Sequence, residues 1–104
     1  MSDTVEFSVG QVIHHKLFGY RGVIVECDPT FDGTEEWYEQ VALSGPPRDQ
    51  PWYHVLVHGA THTTYVAHRN LAPDSTGMGV VHPLVPLHFD EFRDGHYRVS
   101  GPPN

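Results

Sequence analysis

The sequence predicts a mainly β fold, in which a small, curled antiparallel sheet carries a long acidic loop and one short C-terminal helix. A chain of 104 residues buries a core for one domain only. Glycine (10 residues) and proline (9 residues) make up about a fifth of the chain, so it must turn often and long helices are not expected. The apolar residues fall mostly into short β-branched and aromatic runs bounded by Gly, Pro, Asp and Asn, which is typical of strands.

These runs predict two antiparallel strand pairs and a last short strand. The predicted strands are residues 9–16, 22–26, 52–58, 63–67 and 97–99. Gly19 and Gly22 allow the positive φ angles that a tight turn between the first two strands needs. Gly59 begins the turn of the second pair, and residues 68–71 are expected to form a single 3₁₀ turn or loop closure.

The acidic loop is predicted for residues 26–39, which hold six acidic residues and no Lys or Arg. Asp28-Pro29 opens this segment, and the restriction that proline imposes on the preceding residue favours a turn or loop there. A helical turn around residues 35–38 is compatible with this interpretation.

The C-terminal helix is predicted within residues 82–95. Val85, Phe89 and Phe92 recur at helical spacing, Pro86 suits a first helical turn, and Gly95 provides a stop. We therefore expect one short amphipathic helix here. Residues 7–99 form the expected domain, between a flexible N-terminus at 1–6 and a disordered tail at 100–104.

The charge of the chain is acidic but unevenly distributed. Six basic and 13 acidic residues give a net charge of -7, which argues against a generic nucleic-acid binder. The acidic segment 26–39 accounts for most of this, because the rest of the chain has a net charge of only -1. Residues 10–25 contain Lys16, Arg21 and two histidines without any acid, so the first hairpin is expected to be locally basic.

The sequence also indicates in which cellular compartment the protein is expected. The first ten residues show no basic region followed by an apolar run, and no stretch approaches the roughly 18 apolar residues of a membrane span. Cys27 is the only cysteine, so an intramolecular disulfide is impossible and a reducing compartment fits. We therefore expect a cytoplasmic protein without contact to a membrane.

No motif for catalysis or for a cofactor is present. The sequence lacks a G-x-S-x-G elbow, an H-E-x-x-H pair, a dinucleotide-binding glycine loop and a Walker lysine, so neither an enzyme nor a bound cofactor is expected.

Metal ligation is likewise not expected. The chain has nine histidines, but His54 and His58 on one strand would lie about 13 Å apart, so scattered structural histidines are the preferred interpretation. A pair of His58 and His62 across the turn stays open. Asp28, Asp32 and Glu36 lack the order of a calcium-binding loop.

Several blocks of the sequence resemble a known family. They are residues 7–16 (FSVGQVIHHK), 18–25 (FGYRGVIV), 28–29 (DP), 51–57 (PWYHVLV), 64–67 (TYVA) and 70–71 (NL). In this order they resemble the hemimethylated DNA-binding protein family, also called YccV-like or heat shock protein HspQ. The segment 82–92 is similar to longer members, which include domains attached to F-box proteins.

The resemblance implies a small SH3-like antiparallel β-barrel without enzymatic activity. It also implies two roles, namely binding of hemimethylated DNA, with association to the nucleoid, and a stress-response role with a Lon-type protease and its client proteins. Homo-oligomers, trimers among them, are a further implication. After Leu71 the chain departs from the short bacterial heat-shock form.

The candidate binding residues come from the sequence itself. For DNA they are His14, His15, Lys16, Phe18, Tyr20 and Arg21, because a basic hairpin with aromatic side chains suits phosphates and bases. For the alternative, an adaptor that binds a protein partner, they are Trp37, Tyr38 and Trp52. A third interpretation is an aromatic cage for a methylated cation, formed by Phe18, Tyr20 and Trp52.

Overall fold

The computed structural model describes residues 7–42 and 45–99 and shows a mainly β fold, as predicted. The strands are β1 (Val12–His15), β2 (Arg21–Asp28), β3 (Trp52–Val57), β4 (Thr63–Ala67), β5 (Leu71–Pro73), β6 (Glu91–Arg93) and β7 (His96–Arg98). Two short helices, α1 (Glu35–Val41) and α2 (Val85–His88), and a 3₁₀ turn (His68–Asn70) complete the fold. The predicted flexible ends, 1–6 and 100–104, lie outside the described residues.

The main sheet is antiparallel, with the strand order β4-β3-β2-β1-β5. Its two edge strands are joined by the 3₁₀ turn alone, so Ala67 and Leu71 lie only four residues apart in the chain. Four trans-peptide steps span at most about 15 Å. The edges of a flat five-stranded sheet would be about 19 Å apart. The sheet is therefore strongly curled, but the described strand pairs leave β4 and β5 as edges and do not close it into a barrel.

Neighbouring residues of these strands point into two separate cores, as strand alternation requires. The first core contains Phe7, Ile13, Ile24, Tyr53, Val55, Val66 and Leu71. The second core contains Val12, Val23 and Leu56 from the sheet and Val80, Phe89 and Tyr97 from the C-terminal segment. The C-terminal segment thus covers the second face of the sheet instead of extending away from it.

A β-bulge changes the side-chain alternation of β2. Ile24 pairs with Val55, but Glu26 pairs with His54, so two steps on β2 match one step on β3. A regular strand would place Glu26 on the same face as Ile24, in the first core. The bulge turns Glu26 to the opposite face, where His54 lies.

The predicted acidic loop is shorter than expected. Strand β2 extends to Asp28, and α1 occupies Glu35–Val41, so only residues 29–34 connect them. Thr34 caps the helix, because its hydroxyl accepts a hydrogen bond from the N–H of Trp37 at 3.1 Å. Two glutamates in the first helical turn add stabilisation at the positive end of the helix dipole.

The predicted C-terminal helix is also shorter than expected, since α2 ends at His88. The rest of that segment forms the hairpin of β6 and β7, whose turn is Asp94-Gly95 with φ angles of 56° and 76°. This dipeptide is one of the preferred sequences of a two-residue hairpin turn. Gly95 therefore allows a hairpin turn and does not end a helix.

Within the described residues, no helix is both long and apolar enough to span a membrane.

Candidate nucleic-acid interface

His15 organises the turn between β1 and β2. Its Nδ1 accepts hydrogen bonds from the N–H groups of Leu17 and Phe18, both at 3.1 Å, and its carbonyl accepts one from Gly19 at 2.8 Å. The side chain is buried. Its pKa is lowered mainly by this burial and, to a smaller extent, by the charge of His14. His15 therefore holds the turn as a neutral imidazole whose acceptor nitrogen faces the backbone.

The exposed side chains of the turn are those of Lys16, Leu17 and Phe18. Phe18 stacks on the ring of His15 at 4.5 Å between ring centroids, yet 75% of it remains exposed. Lys16 is exposed, and its N–H donates to the carbonyl of Asn70 at 2.8 Å. We call Lys16, Leu17 and Phe18 the hairpin tip. A fixed cation and an exposed aromatic ring are the features that a phosphate and a base can use.

Tyr20 lies behind the hairpin tip, where it packs against the first core. Burial raises the pKa of its phenol, and a side-chain hydrogen bond to Thr64 acts in the opposite direction. His14, on β1, is half-buried between Arg21 of β2 and Ala72 of β5. Both residues are thus half-buried behind the tip, and they stabilise it more than they add to its exposed surface.

Arg21 is fully engaged by the loop that follows β5. Its Nε and Nη2 donate to the two carboxylate oxygens of Asp74 at 3.0 and 3.1 Å. Its Nη2 also donates to the carbonyl of Met78 at 2.6 Å, and its Nη1 to that of Gly79 at 3.3 Å. Only 18% of the Arg21 side chain and 5% of the Asp74 side chain are exposed. The positive charge that the sequence placed in the hairpin is therefore neutralised within the fold.

One basic residue near the tip was missed by sequence reasoning. Arg69 is exposed and sits in the 3₁₀ turn, next to Asn70, whose carbonyl contacts Lys16. The pairing of β5 with β1 brings this turn beside the hairpin, and such long-range pairing leaves no local signal.

The aromatic residues of the protein-binding alternative form one cluster around Trp52. Trp52 is only 1% exposed, and its indole N–H donates to the carbonyl of Pro47 at 3.0 Å. Trp37 and Tyr38 of α1 are half-buried, and Trp37 packs edge-on against Trp52 at 6.0 Å. The hydroxyl of Tyr38 donates to the carbonyl of Pro46 at 2.6 Å. Any partner contact of this cluster must come from the exposed parts of Trp37 and Tyr38.

A groove of about 430 Å³ lies between the hairpin tip and the C-terminal end of α1. Phe18, Tyr20 and Trp52, the residues of the predicted cage, all line it, as does strand β4. Because β4 is an edge strand of the main sheet, the groove offers a backbone edge together with an apolar lining.

The curled sheet, with its exposed hairpin tip and an apolar groove, defines a small binding module. A family model, "Hemimethylated DNA-binding protein YccV like", matches residues 5–96 of the chain. The chain therefore belongs to the YccV-like family of hemimethylated DNA-binding domains. This family comprises DNA-binding domains and is not a known enzyme family. Membership implies binding of hemimethylated DNA.

Proposed function

We propose that the hairpin tip is the part of the chain that contacts hemimethylated DNA. The observation that carries the proposal is the combination of Lys16 and the 75% exposed ring of Phe18 in a turn held by His15. His14, Tyr20 and Arg21 contribute by holding that turn and its neighbours in place. Lys16 would contact a phosphate, and Phe18 a base or a groove.

One hairpin tip supplies little electrostatic affinity, because each phosphate contact releases only about one counterion. We infer that a homo-oligomer, such as the trimer that the family resemblance implies, presents several tips to one duplex. The number of subunits follows from light scattering of the protein with and without DNA. Binding by a strict monomer with a steep salt dependence would contradict this part of the proposal.

The DNA-binding proposal is tested by fluorescence anisotropy with duplexes that are unmethylated, hemimethylated or fully methylated, across a series of salt concentrations. For each tip that contacts a phosphate, Lys16→Ala is expected to lower the slope of log K against log salt by about 1. Phe18→Ala is expected to cost about 1–3 kcal/mol of binding free energy if the ring stacks on a base. Arg93→Ala, an exposed cation on β6, serves as the matched control.

Binding that is absent at every salt concentration, or that is equal for the parent protein and Lys16→Ala, contradicts the proposal. Arg21→Ala is not a suitable variant for this experiment, because it breaks a buried ion pair and is expected to destabilise the fold, whereas the ion pair of Arg93 is exposed.

The groove along β4 favours a second candidate function, that of a protein-binding adaptor for a Lon-type protease or its client proteins. An extended segment of a partner could add to the edge of β4 and place its apolar side chains in the groove. Val41→Glu, at the exposed end of α1, would then abolish the effect on client turnover and leave DNA binding unchanged. Client turnover that is the same with and without the parent protein contradicts this function.

The curled sheet also supports kinship with SH3-like small barrels, and we propose this as the fold type. The support is the short connection between β4 and β5, which forces the edges of the sheet towards each other. We further propose that the protein acts in the cytoplasm, in association with the nucleoid.

A further inference from the structure

Three potential metal ligands converge on one face of the sheet, at the end of β2 that lies farthest along the strand from the hairpin tip. Oxygen atoms of Glu26 and Asp28 and a ring nitrogen of His54 all lie within 4.8 Å of one another. They come from two hydrogen-bonded strands, with Glu26 directly opposite His54 and Asp28 opposite Trp52. The β-bulge is what brings Glu26 to this face. The three side chains thus start from fixed positions on rigid elements and not from a loop.

The distances suit a bound ion. Nε2 of His54 and Oδ2 of Asp28 are 3.2 Å apart, where they share a hydrogen bond. Two ligands that are each about 2.0–2.2 Å from one metal ion, at a tetrahedral or octahedral angle, lie at nearly this separation. An ion could therefore replace the shared proton with little movement of either side chain. Glu26 is exposed, so its carboxylate is able to rotate and become the third ligand.

No lysine or arginine among the described residues forms an ion pair with the carboxylates at this place. In the described parts of the chain, the ion pairs give Glu26 no basic partner and give Asp28 only His54. Elsewhere Asp74, Glu35 and Glu91 are each paired with an arginine. Two neighbouring carboxylates without a nearby arginine or lysine form an anionic site that attracts a cation.

The surroundings of Asp28 match those of a metal ligand. The hydroxyl of Tyr65 donates to Oδ2 of Asp28 at 2.7 Å, which fixes the orientation of the carboxylate. The ring of Tyr65 also lies 4.5 Å from that of His54 between centroids and limits the movement of the imidazole. Ligating carboxylates and imidazoles are commonly held in this way by neighbouring hydrogen bonds and packing.

We propose that Glu26, Asp28 and His54 form a binding site for one divalent transition-metal ion, with Zn²⁺ the best candidate. One imidazole and two carboxylates form a mixed donor set that suits Zn²⁺ better than Mg²⁺ or Ca²⁺, which prefer oxygen ligands alone. Two carboxylates and a neutral imidazole balance the charge of the ion. Three protein ligands leave at least one coordination position for water or for an atom of a partner molecule.

This site differs from the two metal sites considered from the sequence. It shares Asp28 with the acidic-loop set, but Asp32, Glu36, His58 and His62 are not part of it. The bulge changes which residues share a face, and a regular strand alternation does not reveal such a change. The proposal therefore goes beyond both the family and the proposed DNA contact.

The test is calorimetric titration of the full chain, freed of metal, with ZnCl₂. We expect one ion per chain. His54→Gln and Glu26→Gln should each weaken binding by at least about tenfold, since loss of even a neighbouring group typically costs that much. His88→Gln is the matched control, because His88 is exposed, lies on α2 and is not one of the three converging groups. Tyr65→Phe, which keeps all three ligands, is expected to weaken binding by about tenfold.

Paramagnetic broadening by Mn²⁺ or Co²⁺ in NMR spectra supplies a second, residue-specific readout. Amide signals around Glu26 and His54 should broaden first, and those of the hairpin tip last. The proposal is overturned if the parent protein binds no Zn²⁺. It is equally overturned if His88→Gln weakens binding as much as His54→Gln, which would indicate adventitious binding to surface histidines only. Circular dichroism of each variant shows whether it has kept the fold.

Discussion

The two ends of β2 carry opposite charges, and these charges differ in their ion-pair partners. At the first end, Arg21 is mostly buried and donates four hydrogen bonds, two to Asp74 and two to backbone carbonyls. At the other end, Glu26 and Asp28 have no arginine or lysine partner in the described parts of the chain. The charge of Arg21 holds the loop that follows β5 in place, whereas the carboxylates of Glu26 and Asp28 remain accessible to an external cation. The local pairing of charges, and not the total of -7, thus indicates which ligands each end can bind.

The largest effect on the free energy of unfolding is expected from a substitution of Arg21, at the first end of β2. Arg21→Ala leaves the buried carboxylate of Asp74 without its partner, and removing one member of a buried ion pair typically costs about 3–5 kcal/mol. The free energy of unfolding from urea denaturation should fall by this order. Arg93→Ala removes an equally direct but exposed ion pair with Glu91 and should cost less than about 1 kcal/mol. Equal losses for the two variants would show that the burial of the Arg21 pair has no energetic importance.

Low pH should reduce the stabilisation that Asp74 provides at the same end of β2. The hydrogen bond from Arg21, and secondarily those from Thr76, lower the pKa of Asp74 below its ordinary value of 3.8. A carboxyl with a lowered pKa stabilises the fold above its unfolded pKa and loses this contribution as the pH falls through the folded value. The stability difference between the parent protein and Asp74→Asn should therefore shrink below about pH 4. Urea denaturation at pH 7 and pH 3 measures this, and a constant difference would refute the assignment.

A smaller effect than that of Arg21→Ala is expected at the second end, from Tyr65→Phe. Tyr65 donates to Asp28 and accepts from the N–H of Asp32 at 3.0 Å, so its loss should cost about 1–2 kcal/mol. Burial and the hydrogen bond to Asp28 raise the pKa of the Tyr65 phenol. Because the folded state holds this proton more tightly, the contribution of Tyr65 is complete below about pH 10 and is lost at higher pH. Denaturation of both proteins at pH 8 and pH 11 should show a smaller difference at pH 11.

The sequence was sufficient for the strands whose signals are local. The strand at residues 63–67 was predicted with its exact bounds, and the 3₁₀ turn within one residue, because β-branched runs and glycine turns mark them. The C-terminal helix was overestimated because the spacing of Val85, Phe89 and Phe92 resembles a helix. Asp94-Gly95 is the stronger local signal, because this dipeptide favours a two-residue hairpin turn, and the structure has that turn.

The candidate site was less accessible to sequence reasoning. Lys16 and Phe18 lie in a turn, where exposure follows from position. The partner of Arg21 is Asp74, 53 residues away, so no local pattern shows that the arginine is neutralised. The cluster of Glu26, Asp28 and His54 depends on a single extra residue in β2. Long-range pairing and a shift of register are both products of packing, and neither has a periodic signature.

Gly10 connects the beginning of the fold to its end. It adopts a φ angle of 93°, its N–H donates to Ile24 and its carbonyl accepts from Tyr97. A Cβ atom at this position would lie 2.1 Å from the carbonyl oxygen of Tyr97, too close for any larger residue. Sequence variation in the family should therefore be coupled at these two places. Members with the C-terminal hairpin should keep glycine here, and an inherited change at this position should persist only where the hairpin has been lost.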